Sequence, residues 1–504
     1  MKSDRPKRRP FEKYRQTGTL TTAELTRSHQ SYIVQKDRDE DEIERPKHRY
    51  KWVIKKAESL LQAEEEKEAQ EYYRLVMGQD DDGIDLQQKT RVVKDKHGNA
   101  YVLSKTVEGF VSLDEMVFEN MPAGINNKAE IAEQNRRLRI INEWLKDFNE
   151  CAPDCRKDND ASVMGEIMII AMQVYELDLK LANIYKNKKG KFGKIDGDQT
   201  YSFSRSNRGE RPTMTPVMID RLPFVREYPA NNWLDIRAGG EDDSAAILIG
   251  GGAMKDFRRG VNRGILKMIL MPDDLAARQT SFNISARAHA DAITEYNKNN
   301  KVELEEAALN NRSFLEYLVS PEAQLMKDKF FKDISNYVIE SKIKLVTDPV
   351  KTAKDIEDKF KALKEAAECK IFLEDFSRIL NKHADHYTLK SLLNQSFVDD
   401  YKDIINSKAS ERAKLQLVSD IANEAIKDSP KMGAVTTFFN KLTVKYQMQE
   451  LHKIIVLFKT NPSVALTKMR ELRSSLDKTS NPRESVATNS TARQNNPRPG
   501  DGPK

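Results

Sequence analysis

AAILIGGGAMKDFRRGVNRGILKMIL, residues 245–270, runs from a short apolar segment through three glycines into a stretch loaded with Arg and Lys. At about 100° per residue, Met254, Phe257, Val261, Ile265, Met268 and Ile269 gather within about 60° of one direction. Lys255, Arg259, Arg263 and Lys267 repeat every fourth position and gather on the other side, with only Asp256 among them. The pattern predicts an amphipathic helix, one face in a core and a row of cations in water. Gly260 and Gly264 share one flank, where a neighbouring backbone can approach closely. Gly250-x-Gly252-x-x-Lys255 lacks the last glycine of the dinucleotide fingerprint, and no regular βαβ pattern surrounds it.

Before this helix, residues 187–243 hold glycine, proline, arginine and scattered aromatics without a long periodic segment. Lys186, Lys188, Lys189, Lys191 and Lys194 crowd the loop KNKKGKFGK. Arg205, Arg208, Arg211, Arg221 and Arg226 then alternate with Phe203, Phe224, Tyr228 and Trp233. Residues 181–270 carry 16 Lys+Arg against 10 Asp+Glu, a surplus equal to the net +6 of the entire chain, so the basic charge is concentrated here.

Further toward the N-terminus, 162–186 reads as a helix apolar on most faces, and 127–149 as another. The β-branched runs of 90–113 flank His97-Gly98-Asn99, which is hairpin chemistry. A single helix is expected from Tyr50 through KWVIKKAESLLQAEEEKEAQEYYRLVM, with Trp52, Ile54, Leu60, Leu61, Tyr72 and Leu75 buried. Residues 1–45 read as a basic flexible arm.

Toward the C-terminus, one helix is expected over about 273–296, a linker at 297–301 (NKNNK), and an all-α lobe over 302–474. Ser320-Pro321, Asp348-Pro349, Ser429-Pro430 and Asn461-Pro462 each place a capping side chain before a proline. A cap oxygen accepts an orphan backbone N–H, and proline suits the first helical position because that N–H is unpaired anyway. Residues 475–504 are Asn/Ser/Pro-rich and predict a disordered tail.

The expected fold is therefore mainly α: two helical lobes, 46–296 and 302–474, with a small β-hairpin element in the first and disordered N- and C-terminal arms. No apolar run reaches the roughly 18 residues of a membrane span. The N-terminus has no secretory pattern, and Cys151, Cys155 and Cys369 are too few for a disulfide framework. A cytoplasmic, reducing location is expected, or a virion if the chain is viral.

Enzyme signatures are sought and not found: no GxxxxGK[ST], HExxH or GxSxG occurs. His383-Ala-Asp-His386 and the Cys151/Cys155 pair lack further metal ligands at useful spacing, and Lys194-Ile-Asp196-Gly-Asp198 lacks the closing glutamate of a calcium loop. No cofactor, metal or catalytic residue is expected. The reading is a non-enzymatic nucleic-acid-binding assembly protein, with single-stranded nucleic acid as partner, RNA ahead of DNA, and self-association through the terminal arms. Its phosphate- and base-binding set would be Lys186, Lys188, Lys189, Lys191, Lys194, Arg205, Arg208, Arg211, Lys255, Arg258, Arg259, Arg263 and Lys267, with Phe203 and Trp233 for stacking. Two helical lobes, a basic cleft and exchangeable tails make a general plan similar to the nucleoproteins of segmented or negative-strand RNA viruses, in architecture alone. The rival from another class is a cytoplasmic scaffold or filament-forming protein acting through protein–protein contacts.

Overall fold

The computed structural model describes residues 14–19, 31–36, 51–79, 86–105, 111–112, 160–176, 183–186, 192–195, 251–345 and 347–384. It also describes 197, 200–201, positions scattered over 400–420 and 453–458, and 460–480. The fold is mainly helical, with antiparallel sheet in its N-terminal part. Strands β1 (Tyr14–Thr19), β2 (Ser31–Lys36), β3 (Lys51–Lys56), β4 (Thr90–Lys94) and β5 (Ala100–Lys105) form one sheet in the order β1-β2-β3-β5-β4. The sheet is larger than the expected hairpin. It also takes in two segments of the expected flexible arm, whose backbones pair through β1 and β2.

The hairpin at 90–105 forms as expected. Gly98 turns at φ 86, and Asp95 caps the turn by accepting the N–H groups of His97 and Asn99 at 2.9 and 2.8 Å. Residues 50–77, expected as one helix, are instead strand β3 followed by helix α1 (Leu60–Met77). The break is a local cap: Ser59 Oγ accepts the Gln62 N–H at 3.1 Å, and Gln62 Oε1 reaches back past the cap to accept the Glu58 N–H at 2.8 Å. Trp52 and Ile54 are buried, as expected, but against Val93 and Leu103 on the far side of the sheet. The near side, Val92, Ala100 and Val102, packs on Ala63 and Leu60 of α1.

Helix α2 (Asp160–Gln173) ends well before the expected Lys186, because Tyr175 turns left-handed at φ 50. A second sheet follows, with β6 (Val111–Ser112) pairing β7 (Ile184–Lys186) and β7 pairing β8 (Phe192–Lys194). Helix α3 (Gly251–Leu270) forms where the wheel places it, and Phe257, Val261, Ile265, Met268 and Ile269 are all buried. It crosses α2 glycine on glycine: a Cβ at Gly260 would overlap the main-chain oxygen of Ser162, and one at Gly165 that of Phe257. The flank read from Gly260 and Gly264 is thus the place where two backbones meet.

The expected helix at 273–296 is two, α4 (Asp273–Asn283) and α5 (Arg287–Leu309). The expected linker 297–301 lies inside α5. Asn297 and Asn300 are buried there, because a polar side chain with a partner is tolerated in the interior: Asn297 Nδ2 donates to the Tyr201 hydroxyl at 3.3 Å and Asn300 Nδ2 to the Gln173 carbonyl at 3.4 Å. After α6 (Arg312–Leu318) come α7 (Pro321–Ser341), α8 (Pro349–Ala384) and α9 (Pro462–Ser480). Three of the four proline starts open these helices. Ser320 accepts from Ala323, Asp348 from Val350 and Asn461 from Val464. Helix α9 runs six residues past the expected tail boundary at 474. Ser429-Pro430, the helix expected at 127–149 and the rest of the tail lie outside the described residues.

The chain divides into two compact units, Met1–Lys361 and Ala362–Lys504, with the division inside α8. In the second unit Phe372 packs on Phe458 with ring centres 4.7 Å apart. Among the described residues no helix is long and apolar enough to cross a membrane.

Candidate active site

Period-two alternation along β3 turns Trp52 and Ile54 to one side of the sheet and Lys55 to the other, toward α1. There Lys55 Nζ meets Glu66 Oε2 at 3.3 Å, with both side chains largely withdrawn from water. An ion pair of this kind survives desolvation only where geometry holds both partners, and here a strand and a capped helix do so.

A second segment closes on the same helix. Gly197 lies where a Cβ would stand 3.1 Å from Gln70 Nε2 and 3.5 Å from Glu66 Cγ. The Gln87 amide bridges the Gln70 side chain and the Lys194 main chain, whose N–H it accepts at 3.0 Å. Across the β7–β8 hairpin, Ile195 donates its N–H to the carbonyl of Asn183 at 2.7 Å. Asn183 and Ile195 therefore join at the base of one hairpin, and Gly197 lies beside the helix that carries Glu66. Lys194 Nζ is wholly buried, 2.7 Å from Glu176 Oε2, which is buried as well, and 5.4 Å from the centre of the Tyr73 ring. This pair ties the end of the hairpin to the turn that follows α2.

The expected phosphate track is placed differently. Arg263 Nε and Lys267 Nζ, expected in water, are buried and each stands 2.6 Å from Glu166 of α2. Lys267 also donates to the Val76 carbonyl at 2.9 Å, in the last turn of α1, where unpaired carbonyls favour a cation. Burial pushes the Lys267 ammonium below its usual range, and Glu166 opposes the shift. The part of α3 that carries Arg263 and Lys267 faces two other helices, so these two cations are internal counter-ions. Lys194 is withdrawn in the same way. Arg259 is part-exposed and pairs with Asp256 and Glu322 at 3.5 and 3.2 Å, while Arg258 is exposed. Lys186 lies on β7 and Lys255 in the first turns of α3. Lys188, Lys189, Lys191, Phe203, Arg205, Arg208, Arg211 and Trp233 lie outside the described residues.

The signal that the sequence reading passed over is one of spacing. Trp52-Val-Ile-Lys55 ends on a lysine in the third strand. Asp178-Leu-x-x-x-Asn183 follows α2, and Asp196-Gly197 comes thirteen residues after Asn183. Each fragment is short, and the first was hidden inside an expected helix. Among the described residues no three His, Cys, Asp or Glu side chains cluster as a metal site. Asp178, Asp196 and Asp198 are outside that set.

No protein-family model matches the chain, and no curated protein matches it in sequence. Among solved structures it is similar to the proinflammatory kinase CtkA of Helicobacter pylori, at 9% identity over 60% of this chain and 97% of that one, with a TM-score of 0.32. It is also similar to a MAP kinase of Leishmania major, at 10% identity over 70% and 94%, with a TM-score of 0.22. At such scores neither likeness establishes a fold or bears on activity.

Proposed function

We propose that this chain transfers the γ-phosphoryl group of a Mg²⁺-bound nucleoside triphosphate to an acceptor hydroxyl. The observation that carries the reading is the largely withdrawn Lys55–Glu66 pair on the third strand and the first helix, with Gly197 against that helix. In protein kinases a lysine on this strand holds the α- and β-phosphates and is steadied by a glutamate of the following helix. A D-L-x-x-x-N loop supplies the aspartate that accepts the hydroxyl proton and an asparagine for Mg²⁺, and the later aspartate supplies a second metal oxygen. Here those roles fall to Lys55, Glu66, Asp178, Asn183 and Asp196. Asn183 and Asp196 offer an amide and a carboxylate oxygen, the hard donors that Mg²⁺ takes.

In the reaction the acceptor oxygen attacks the γ-phosphorus and the bond to the β–γ bridging oxygen breaks. Asp178 takes the hydroxyl proton, while Lys55 offsets charge on the phosphates. Two features depart from the usual pattern. Residues 20–30, between β1 and β2, contain no glycine, and Asp196-Gly197 lacks the middle residue of D-F-G.

The test is Mg²⁺-ATP binding and transfer of labelled γ-phosphate to the chain itself or to a hydroxyl-rich protein. Lys55→Met and Asp196→Asn should each lower the rate by about 10²- to 10³-fold, the usual loss when one electrostatic stabiliser is removed. Circular dichroism would check that each variant folds. A wild-type chain that neither binds nor turns over Mg²⁺-ATP ends the proposal, as does a Lys55→Met variant with the parental rate. Tight binding of single-stranded RNA with a steep salt slope, in a chain that ignores Mg²⁺-ATP, would favour the polyanion reading instead.

A further inference from the structure

Residues two apart on a helix point in nearly opposite directions, so the face of α1 behind Glu66 belongs to Glu68. Glu68 is fully buried against α4, where it accepts from Asn283 Nδ2 at 2.7 Å and Thr280 Oγ1 at 2.9 Å. The helix is held on this side by a row of carboxylates. Glu64 accepts both the N–H and the hydroxyl of Ser285 at 2.6 Å, Glu65 meets His289 at 2.6 Å, and Glu71 accepts the Tyr337 hydroxyl at 3.1 Å. Of these, Glu68 has two neutral donors and no cation paired to it among the described residues.

We propose that Glu68 is a positioning residue, whose neutral form seats α1 on α4 and so holds Glu66 against Lys55, and whose ionisation loosens that seat. The inference rests on the phosphotransfer reading for its consequence, though not for its geometry. Burial raises the carboxyl to about 7, opposed by the Asn283 and Thr280 hydrogen bonds and by Lys67, and reinforced by Glu71. Tyr201 from the turn at 200–201 and Tyr337 from α7 also feel this charge, as does Tyr72 of α1 itself. Oδ1 of Asn283 makes no hydrogen bond among the described residues, so a turn of that amide would let it accept the proton of neutral Glu68. The carboxyl sits at the back of the helix that carries Glu66, where a change in its charge acts on the clamp without touching a substrate.

Two readouts separate this idea from the function it rests on. Hydrogen exchange of residues 62–76, corrected for intrinsic rate, needs no nucleotide. If the released helix has a carboxyl at its ordinary 4.5, the local opening constant should rise about tenfold from pH 6 to pH 8. Glu68→Gln should abolish that rise, and because it keeps His289 the comparison isolates Glu68. Asn283→Ala, which removes a donor to the carboxylate, should move the transition to higher pH and serves if the Gln variant does not fold. Phosphotransfer and Mg²⁺-ATP affinity should fall over the same pH window in the wild type and stay flat relative to it in the Gln variant. An opening constant that is unchanged with pH, or that moves in parallel in both proteins, overturns the proposal. So does exchange that follows pH while nucleotide affinity does not. If the wild type ignores Mg²⁺-ATP altogether, the function fails while the exchange result still judges the seat.

Discussion

At the scale of single residues, identical side chains on one helix meet different fates. Arg263 and Lys267 share one carboxylate, Glu166, and all three side chains are buried. Glu166→Gln should therefore cost about 3–5 kcal/mol in urea unfolding, since two buried cations lose their counter-ion. A loss below 1 kcal/mol would mean that solvent reaches the group. Arg259, one turn away, is part-exposed and its partner Glu322 more so, and Arg259→Ala should cost less than about 1 kcal/mol. The sequence could not tell these arginines apart. A four-residue repeat places cations on a face and says nothing of whether that face meets water or another helix.

At the scale of elements, contact between α2 and α3 depends on Gly165, Gly260 and Gly264. Gly260→Ala would improve helix propensity in isolation, yet it should cost about 3 kcal/mol or more, because the backbone of α2 would have to move. The shift in urea midpoint measures this, and a stabilised variant would show that the helices are not in backbone contact. Several element boundaries set by a short-range hydrogen bond were legible. The Gly98 turn between β4 and β5 and the capping residues before Pro321, Pro349 and Pro462 were all readable. The Ser59–Gln62 cap was equally local, but apolar periodicity across 50–77 masked it. The left-handed turn at Tyr175 carried no signal, since only packing forces a tyrosine into that region.

At the scale of the whole molecule, stability should follow pH through Glu68. The sign follows from its raised position: the folded chain retains a proton that the unfolded chain has released. That contribution is complete below about 4.5, is lost as pH rises through about 7 and is level above. Wild type and Glu68→Gln should diverge by on the order of 3 kcal/mol between pH 4.5 and pH 8, with the variant favoured at the alkaline end. Parallel curves would show that Glu68 is hydrated.

What the sequence determined by itself was local: a mainly helical chain, an amphipathic 251–270 segment, a hairpin around Gly98, and helix starts at Pro321, Pro349 and Pro462. Each rests on hydrogen bonds or periodicity within a few residues. Only the tertiary structure decided that Lys55 faces Glu66, that Asn183 and Ile195 join across a hairpin, and that Arg263, Lys267 and Lys194 are withdrawn from solvent. Those outcomes depend on desolvation and on charge partners up to about a hundred positions away in the chain. No pattern along one strand or one helix encodes such partners.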